Sequence, residues 1–263
     1  MAFDLDRYEQ VVGRLDVDDI DFGAFTREPL AEDHLRCLRY MHDVEHHTTC
    51  YLRNLLNTRA HDDPEITAFL TLWNYEEHWH GEALGRVLDA HGEVAGAPRV
   101  AAMRRRAGWR STASPVAWLA FSSVTRHFLA VHMTFGAINE WTTQAGYARL
   151  GKLTGHPVLQ DLLGRIMRQE GRHIDYYRSR AFELLDGQPA AQRTTRRVLR
   201  LLWRPVGAKV MPLAETRHLI ATLFGGSDGD VVAARVDRRI DLLPGLAGLG
   251  LVRGARDRYA AAA

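Results

Sequence analysis

Cysteine is scarce in this sequence, and no apolar run is long enough to cross a membrane. Only Cys37 and Cys50 occur among 263 residues, both within one helical pattern. This excludes a disulfide framework and any cysteine-based zinc or iron–sulfur site. The longest apolar stretch, residues 115–133, is broken by Arg126 and His127 and falls short of the roughly 20 residues that a spanning helix needs.

Signals for export and for redox cofactors are missing as well. The opening MAFDLDRYEQ has no apolar core of the kind found in secretory signals, so we expect a cytoplasmic protein. No CxxC pair, flavin fingerprint or haem motif occurs, so reductive chemistry would need an external electron donor. The composition, 46% apolar and 25% charged with a net charge of +2, is typical of a globular protein and gives no indication of nucleic-acid binding.

Helical periodicity runs through almost the whole chain. Apolar residues recur at spacings of three and four, which makes one face of a helix, and proline and glycine provide start and stop signals. The pattern predicts four long helices, at residues 29–57, 64–91, 115–155 and 157–186. We therefore predict an all-α fold, a ferritin-like four-helix bundle at about 29–186 with additional C-terminal helices at about 187–263, all in a single domain 1–263.

Four glutamates interrupt the apolar stripes, one in each predicted helix. A carboxylate inside a helical bundle is costly unless a metal or a partner neutralises it. Two of the four open a Glu-x-x-His unit, whose spacing places acid and imidazole on one helix face. Carboxylate-bridged diiron proteins use this set, with one Glu from each of two helices and a Glu-x-x-His from each of the others. The predicted metal ligands are Glu45, Glu77, His80, Glu140, Glu170 and His173.

The spacing of these glutamates along the chain provides an independent test. Two antiparallel helices bring residues to the same height only when both residues lie equally far from the connecting turn. The midpoint of Glu45 and Glu77 falls in the polar stretch NTRAHDDP, and the midpoint of the second pair falls at Gly155. Each arm is about 15 residues, or roughly 23 Å. The sequence therefore predicts two similar hairpins with all four glutamates at one level.

Further histidines and a third Glu-x-x-His do not fit this pattern. Reflecting Glu215 about the predicted break near Pro205 lands on Thr195, so no carboxylate completes a hairpin with Glu215 and His218. The alternative for the four glutamates is a solvated helix face. Three other histidines are predicted to lie on the surface or beside the ligands rather than bind metal: His46, His47 and His78.

The ligand types indicate which metal to expect. Carboxylate and imidazole groups suit iron or manganese. We predict two Fe ions, with a Mn/Fe pair as the alternative.

Longer stretches of the sequence resemble one protein family. The segment NYEEHWHGEAL, with Glu77 and His80, resembles the Glu-Glu-Asn-Arg-His-Gly segment of the soluble acyl-[acyl-carrier-protein] desaturases. The stretch INEWTTQAGYARLGKLTGHPVLQDLLGRIMRQEGRHIDYY resembles the second hairpin of that family. The likeness continues weakly into WRPVGAKVMP and RRIDLLPGLAGLGLVR, and it covers most of the chain from about residue 35.

The resemblance implies a homodimeric helical bundle in which two irons activate O2 and remove hydrogen from an acyl chain on an acyl carrier protein. Electrons come from a ferredoxin-type donor in that family. The resemblance implies the same six metal ligands and a catalytic role for Thr143, one turn after Glu140. The alternative for Thr143 is a core hydroxyl bonded to its own helix. Gln169 replaces an aspartate that the family usually has before its second Glu-x-x-His.

Other functions share this metal site and stay open. They are a diiron N-oxygenase or hydroxylase of a small metabolite, and a ferritin-like ferroxidase or metal-binding protein without an organic substrate. Two basic stretches, residues 103–110 and 193–204, could dock an acidic carrier protein, and the alternative is a solvated helix face. The second stretch is also amphipathic, which leaves peripheral membrane contact open.

Overall fold

The computed structural model describes residues 3–260, except for the side chains of residues 107, 109–112 and 260. Over this part of the chain the protein is a helical bundle with 79% helix and no strand. None of its described helices combines the length and the apolar character that crossing a bilayer requires. The prediction of an all-α helical bundle is confirmed.

The described chain divides into two compact units. The N-terminal unit contains residues 4–126 and 156–166, and the C-terminal unit contains residue 3, residues 127–155 and residues 167–260. The division falls inside one continuous helix, Pro157–Leu185. The assignment of residues 1–263 to a single domain stays a prediction.

Apart from residues 157–166, which begin a later helix, the helices of the N-terminal unit precede residue 127. They are α1 (Leu5–Val11), α2 (Ala24–Arg27), α3 (Glu32–Leu56), a 3₁₀ turn (Arg59–Asp62), α4 (Pro64–Ala90) and α5 (Gly96–Val124). α3 and α4 pack against each other as a helical hairpin. The start of α4 follows the usual chemistry of helix N-termini: Pro64 occupies the first turn, and the Asp63 carboxylate accepts hydrogen bonds from the backbone of Glu65 and Ile66.

The helices of the C-terminal unit follow a break at residues 125–127. They are α6 (Phe128–Thr154), the part of α7 (Pro157–Leu185) from residue 167, α8 (Pro189–Leu202), α9 (Leu213–Phe224), α10 (Gly226–Asp241) and α11 (Leu251–Ala260). α6 ends as the sequence predicted, at Gly155, which has a left-handed φ of 63° and donates its backbone N–H to the carbonyl of Gly151. The last four helices agree with the predicted C-terminal extension.

The predicted start of the third long helix is wrong. The chain breaks at residues 125–127, and Pro115 lies inside α5, seven residues after a kink at Gly108 (φ 51°, ψ −141°), instead of at a helix start. The hydroxyl groups of Ser122 and Ser123 both donate to the carbonyl of Leu119, at 2.9 Å. Such local bonds compete with regular helix geometry. Because the break contains neither glycine nor proline, the apolar periodicity appeared continuous across it.

A glycine in α6 allows a tyrosine of α7 to pack closely in the C-terminal unit. A Cβ atom at Gly136 would lie 2.2 Å from Cδ1 of the Tyr177 ring, and this ring is buried. We therefore expect Gly136→Ala to lower the free energy of unfolding by about 1–3 kcal/mol, the usual cost of overpacking a core. Urea unfolding followed by circular dichroism measures this change.

Gly171 on α7 provides the matched control. No atom outside its local backbone lies within 4 Å of a Cβ built there. We expect Gly171→Ala to stabilise the helix by about 0.5–1 kcal/mol, because alanine loses less backbone entropy on folding. Equal stabilities of the two variants would contradict the proposed close packing at Gly136.

Candidate metal centre

All six predicted ligands are withdrawn from solvent. Their exposed fractions are 3% for Glu45, 3% for Glu77, 0% for His80, 7% for Glu140, 0% for Glu170 and 0% for His173. A solvated helix face, the alternative considered from the sequence, is therefore not their environment. Ionised carboxylates are rarely buried without a compensating charge. Their role as metal ligands stays a prediction, which the geometry of each unit supports.

Three of these side chains meet in the N-terminal unit. Glu45 on α3 and Glu77 with His80 on α4 each offer one ligand atom, and these atoms lie within 4.8 Å of one another. Nδ1 of His80 is 3.9 Å from Oε2 of Glu77. We call these residues the N-terminal ligand group. Its members share one level of the hairpin because the turn lies midway between the two glutamates.

The other three side chains meet in the C-terminal unit. Glu140 on α6 and Glu170 with His173 on α7 also offer ligand atoms within 4.8 Å of one another. Nδ1 of His173 is 3.2 Å from Oε2 of Glu170. This C-terminal ligand group has the same composition as the N-terminal one: a glutamate from one helix and a Glu-x-x-His from the next. Each group alone has enough oxygen and nitrogen donors to begin coordinating a divalent cation.

The third Glu-x-x-His of the sequence behaves differently. Glu215 and His218 lie on α9, and neither takes part in a metal-ligand group found among the described residues. This agrees with the mirror argument, which found no carboxylate to complete a hairpin with them.

Glu76 precedes a predicted ligand and is fully buried, yet its environment is different. The hydroxyl of Tyr8 donates to Oε2 of Glu76 at 2.8 Å, and the backbone N–H of Gly13 donates to Oε1 at 3.3 Å. Both carboxylate oxygens therefore hold the N-terminal segment against α4. No local sequence pattern indicates this role, because the donors lie more than sixty residues away.

A polar network on α3 was also not predicted from the sequence. Nδ1 of His42 lies 3.0 Å from Oδ1 of Asp43, and the backbone N–H of Gly96 donates to Nε2 of His42 at 3.2 Å. Because Nε2 accepts, Nδ1 carries the proton and donates to Asp43. Arg99 donates to both oxygens of Asp43, at 2.6 and 2.9 Å. His42 is thus engaged in a structural network and is not a metal ligand.

The other histidines of this region occupy three environments. His46 is buried, His47 is half-buried and His78 is exposed. Burial lowers the pKa of His46 to about 4, with a further contribution from the neighbouring His42 and His78. Burial also lowers the pKa of His47 to about 4, assisted by Arg104 and Arg53. Both imidazoles are therefore neutral at pH 7.

Thr143 is half-buried on α6. The hydroxyl of its neighbour Thr142 donates to the carbonyl of Ile138 at 2.7 Å, which is the backbone bond considered as the alternative for Thr143. Among the described contacts, Thr143 makes no such bond. Its catalytic role stays a prediction. Gln169, which precedes Glu170, is buried.

Comparison of the sequence with protein-family models and with curated proteins finds no match. The resemblance to acyl-carrier-protein desaturases therefore rests on the sequence motifs alone.

Acid should weaken the network around Asp43. Burial alone would raise the pKa of Asp43, but the hydrogen bonds from His42 and Arg99 bring it below the ordinary value of 3.8. The ionised carboxylate therefore contributes stability that is complete above about pH 3.8 and is lost as the pH falls through the lower, folded-state pKa. We expect Asp43→Asn to cost about 2 kcal/mol at pH 7, the scale of charged hydrogen bonds.

The measurement is urea unfolding between pH 7 and pH 3. Asp43→Asn should show a smaller loss of stability below pH 4 than the unmodified protein. Asp62→Asn, at an exposed position of the same unit, is the control and should leave the pH profile unchanged. A profile of Asp43→Asn that parallels the unmodified protein would show that the carboxylate does not contribute through this network.

Proposed function

We propose that this chain is an O2-dependent diiron oxidoreductase. The observation that carries the proposal is the presence of two buried ligand groups of identical composition, one on α3 and α4 and the other on α6 and α7. The six proposed ligands are Glu45, Glu77, His80, Glu140, Glu170 and His173.

Charge balance supports two divalent cations for these ligands. Four ionised glutamates carry four negative charges, which equal the positive charge of two ferrous ions, and the two imidazoles are neutral donors. Such an assembly has no net charge, so the cost of burying the carboxylates is offset by coordination. A single divalent ion would leave two negative charges uncompensated in the protein interior.

The ligand groups also allow roles to be assigned within the proposed centre. Glu45 and Glu77 would hold one ion, and Glu140 and Glu170 would hold the other. His80 and His173 are assigned one to each ion, in keeping with the bundle-core arrangement of one Glu-x-x-His per metal. Iron is the proposed metal at both positions, and a Mn/Fe pair is the alternative that metal analysis distinguishes.

When bound, reduced iron supplies the chemistry of O2 activation. The residues of the chain provide the surroundings: burial of the ligands excludes bulk water, and Oγ1 of Thr143 is assigned to proton delivery on the α6 side. Electrons are assigned to a ferredoxin-type donor, because the sequence holds no motif for an electron carrier of its own.

The proposed substrate is a fatty-acyl chain bound to acyl carrier protein, which is desaturated or hydroxylated. In addition to the family resemblance, an arginine-rich cavity of the C-terminal unit supports an anionic partner. This cavity of about 330 Å³ is lined by Arg200, Arg204, Leu213, Arg217, Arg258 and Tyr259. Guanidinium groups match phosphate and carboxylate oxygens through paired hydrogen bonds, so the phosphopantetheine phosphate or an acidic carrier surface fits this chemistry.

Two other surface features bear on the proposed partner. The exposed side chains of Leu201 and Leu202 beside these arginines leave peripheral membrane contact as the alternative for α8. The basic stretch at residues 103–110 includes Arg104, Arg105 and Arg106, which are exposed, while the side chains of residues 107, 109 and 110 lie outside the described residues. A homodimer is proposed from the family resemblance.

Iron binding tests the centre directly. Protein loaded anaerobically with ferrous iron and then exposed to air should retain about two irons per chain and develop a ferric charge-transfer band. Glu77→Ala and Glu170→Ala should each lose about half of the bound iron, because each removes a carboxylate from one of the two ligand groups. Bound iron should also raise the melting temperature, since a ligand that binds only the folded state stabilises it.

Glu215→Ala is the matched control, because it alters a Glu-x-x-His outside the ligand groups. It should retain two irons. Circular dichroism of the iron-free variants shows whether each one is folded. Folded Glu77→Ala and Glu170→Ala that still bind two irons would contradict the assignment.

Substrate turnover separates the proposed reaction from its alternatives. With a reduced ferredoxin, we expect O2 consumption that depends on acyl carrier protein loaded with a fatty-acyl chain, and an alkene or alcohol as the product. Arg200→Ala with Arg217→Ala should raise KM for the carrier-bound substrate several-fold and leave kcat almost unchanged. O2 consumption with iron alone would favour a ferroxidase, and consumption with small amines would favour an N-oxygenase.

A further inference from the structure

A third group of metal-binding side chains lies in the N-terminal unit, apart from the six proposed ligands. His46 on α3 and the pair His78 and Glu82 on α4 each offer one ligand atom, and these atoms lie within 4.8 Å of one another. His78 and Glu82 are four residues apart, which places them on one face of α4. We call these three residues the His–His–Glu triad.

The imidazole of His46 is the buried member of the triad. His46 is only 7% exposed, and its Nε2 atom has no hydrogen-bond partner within the described structure. Oε1 of Glu82 is 3.6 Å away, which is too long for a hydrogen bond. A buried polar atom without a partner costs free energy. An ion between the nitrogen and the carboxylate would remove that cost.

The separation of these two atoms suits a tetrahedral metal ion. With metal–ligand bonds of about 2.0–2.1 Å, neighbouring ligands of a tetrahedral zinc ion lie about 3.4 Å apart. The observed distance of 3.6 Å between Nε2 of His46 and Oε1 of Glu82 is close to this value, so only a small movement of the two side chains is needed. The ring centroids of His46 and His78 are 5.8 Å apart, so the second imidazole is close enough to bring a nitrogen to the same ion.

The local backbone holds the His46 ring in this position. A Cβ atom at residue 81 would lie 2.7 Å from Nε2 of His46, so only glycine allows the ring to approach α4 so closely. The ring of His42 packs edge-on at 4.6 Å between centroids. His42 is itself fixed by its bonds to Asp43 and Gly96. The ring is thus oriented before any ligand arrives.

We propose that the His–His–Glu triad is a mononuclear site for a borderline divalent cation, with Zn²⁺ as the favoured ion. Two imidazoles and one carboxylate are a donor set that zinc uses when a fourth position is left to water. His78 is exposed and the Glu82 side chain is 43% exposed, so the ion exchanges with solvent. When bound, it ties α3 to α4 within five residues of Glu45 and Glu77.

The triad differs chemically from the proposed iron ligands. It has two imidazoles for one carboxylate, whereas the iron ligands are rich in carboxylates. Imidazole-rich sites follow the Irving–Williams order and favour later transition metals. The two kinds of site are therefore distinguishable in the same protein by cobalt spectroscopy, since four-coordinate Co²⁺ absorbs visible light much more strongly than Co²⁺ with more ligands.

The experiment is a titration of the full chain with Co²⁺, followed by displacement with Zn²⁺. We expect one strongly absorbing Co²⁺ per chain, lost on addition of one equivalent of Zn²⁺. His78→Ala and Glu82→Gln change solvent-accessible side chains, and circular dichroism checks their folding. Each variant should bind Co²⁺ at least tenfold more weakly. His61→Ala, at an exposed histidine in the same unit, is the control and should keep the band.

The variant Glu170→Ala distinguishes the triad from the iron centre. It removes a proposed iron ligand but leaves the triad intact, so it should keep the strong cobalt band. The proposal is overturned if folded His78→Ala and Glu82→Gln both bind Co²⁺ as tightly as the unmodified protein. It is also overturned if the band disappears in Glu170→Ala while His78→Ala retains it, because the absorbing ion would then belong to the carboxylate-rich ligands. Should one triad variant fail to fold, the other decides the question.

Discussion

The burial of four glutamates within helices constrains most of this molecule. Transfer of an ionised carboxylate from water to a protein interior costs several kcal/mol after relaxation, so four of them cost on the order of 10 kcal/mol or more. The net stability of a typical domain is about 5–15 kcal/mol. Glu45, Glu77, Glu140 and Glu170, none more than 7% exposed, therefore need protonation or bound cations to remain inside. Under the proposed function, folding and metal content are linked by this requirement.

Small residues allow the helices to support such side chains. Gly81 on α4 leaves space for the ring of His46 from α3, and Gly136 on α6 leaves space for the ring of Tyr177 from α7. Each close approach occurs within four residues of a proposed glutamate ligand. In a densely packed interior, one added methyl group shifts its neighbours. The positions of the four glutamates therefore depend on neighbouring side chains that are not among the six proposed iron ligands.

The sequence predicted the all-α fold and the turn at Gly155 because helical spacing and turn signals are local patterns. The residues of both ligand groups were predicted because each pair of glutamates lies at equal distances from the turn that joins two neighbouring helices. The break at residues 125–127 could not be found in this way, since it lacks glycine and proline. The hydrogen bond from Tyr8 to Glu76 is not indicated by any local sequence pattern either. Hydrogen bonds between residues far apart in sequence depend on packing, which periodicity does not encode.

A helical bundle with a dinuclear site does not by itself define a reaction. Desaturases, hydroxylases and ferroxidases differ in what reaches the metals and in what supplies the electrons. In this chain, the strongest physical argument for a carrier-bound substrate is the cavity lined by Arg200, Arg204, Arg217 and Arg258. Four guanidinium groups around one cavity create a positive local potential that attracts anions. Under the proposed function this potential would attract the phosphate of the carrier, a role that a ferroxidase does not require.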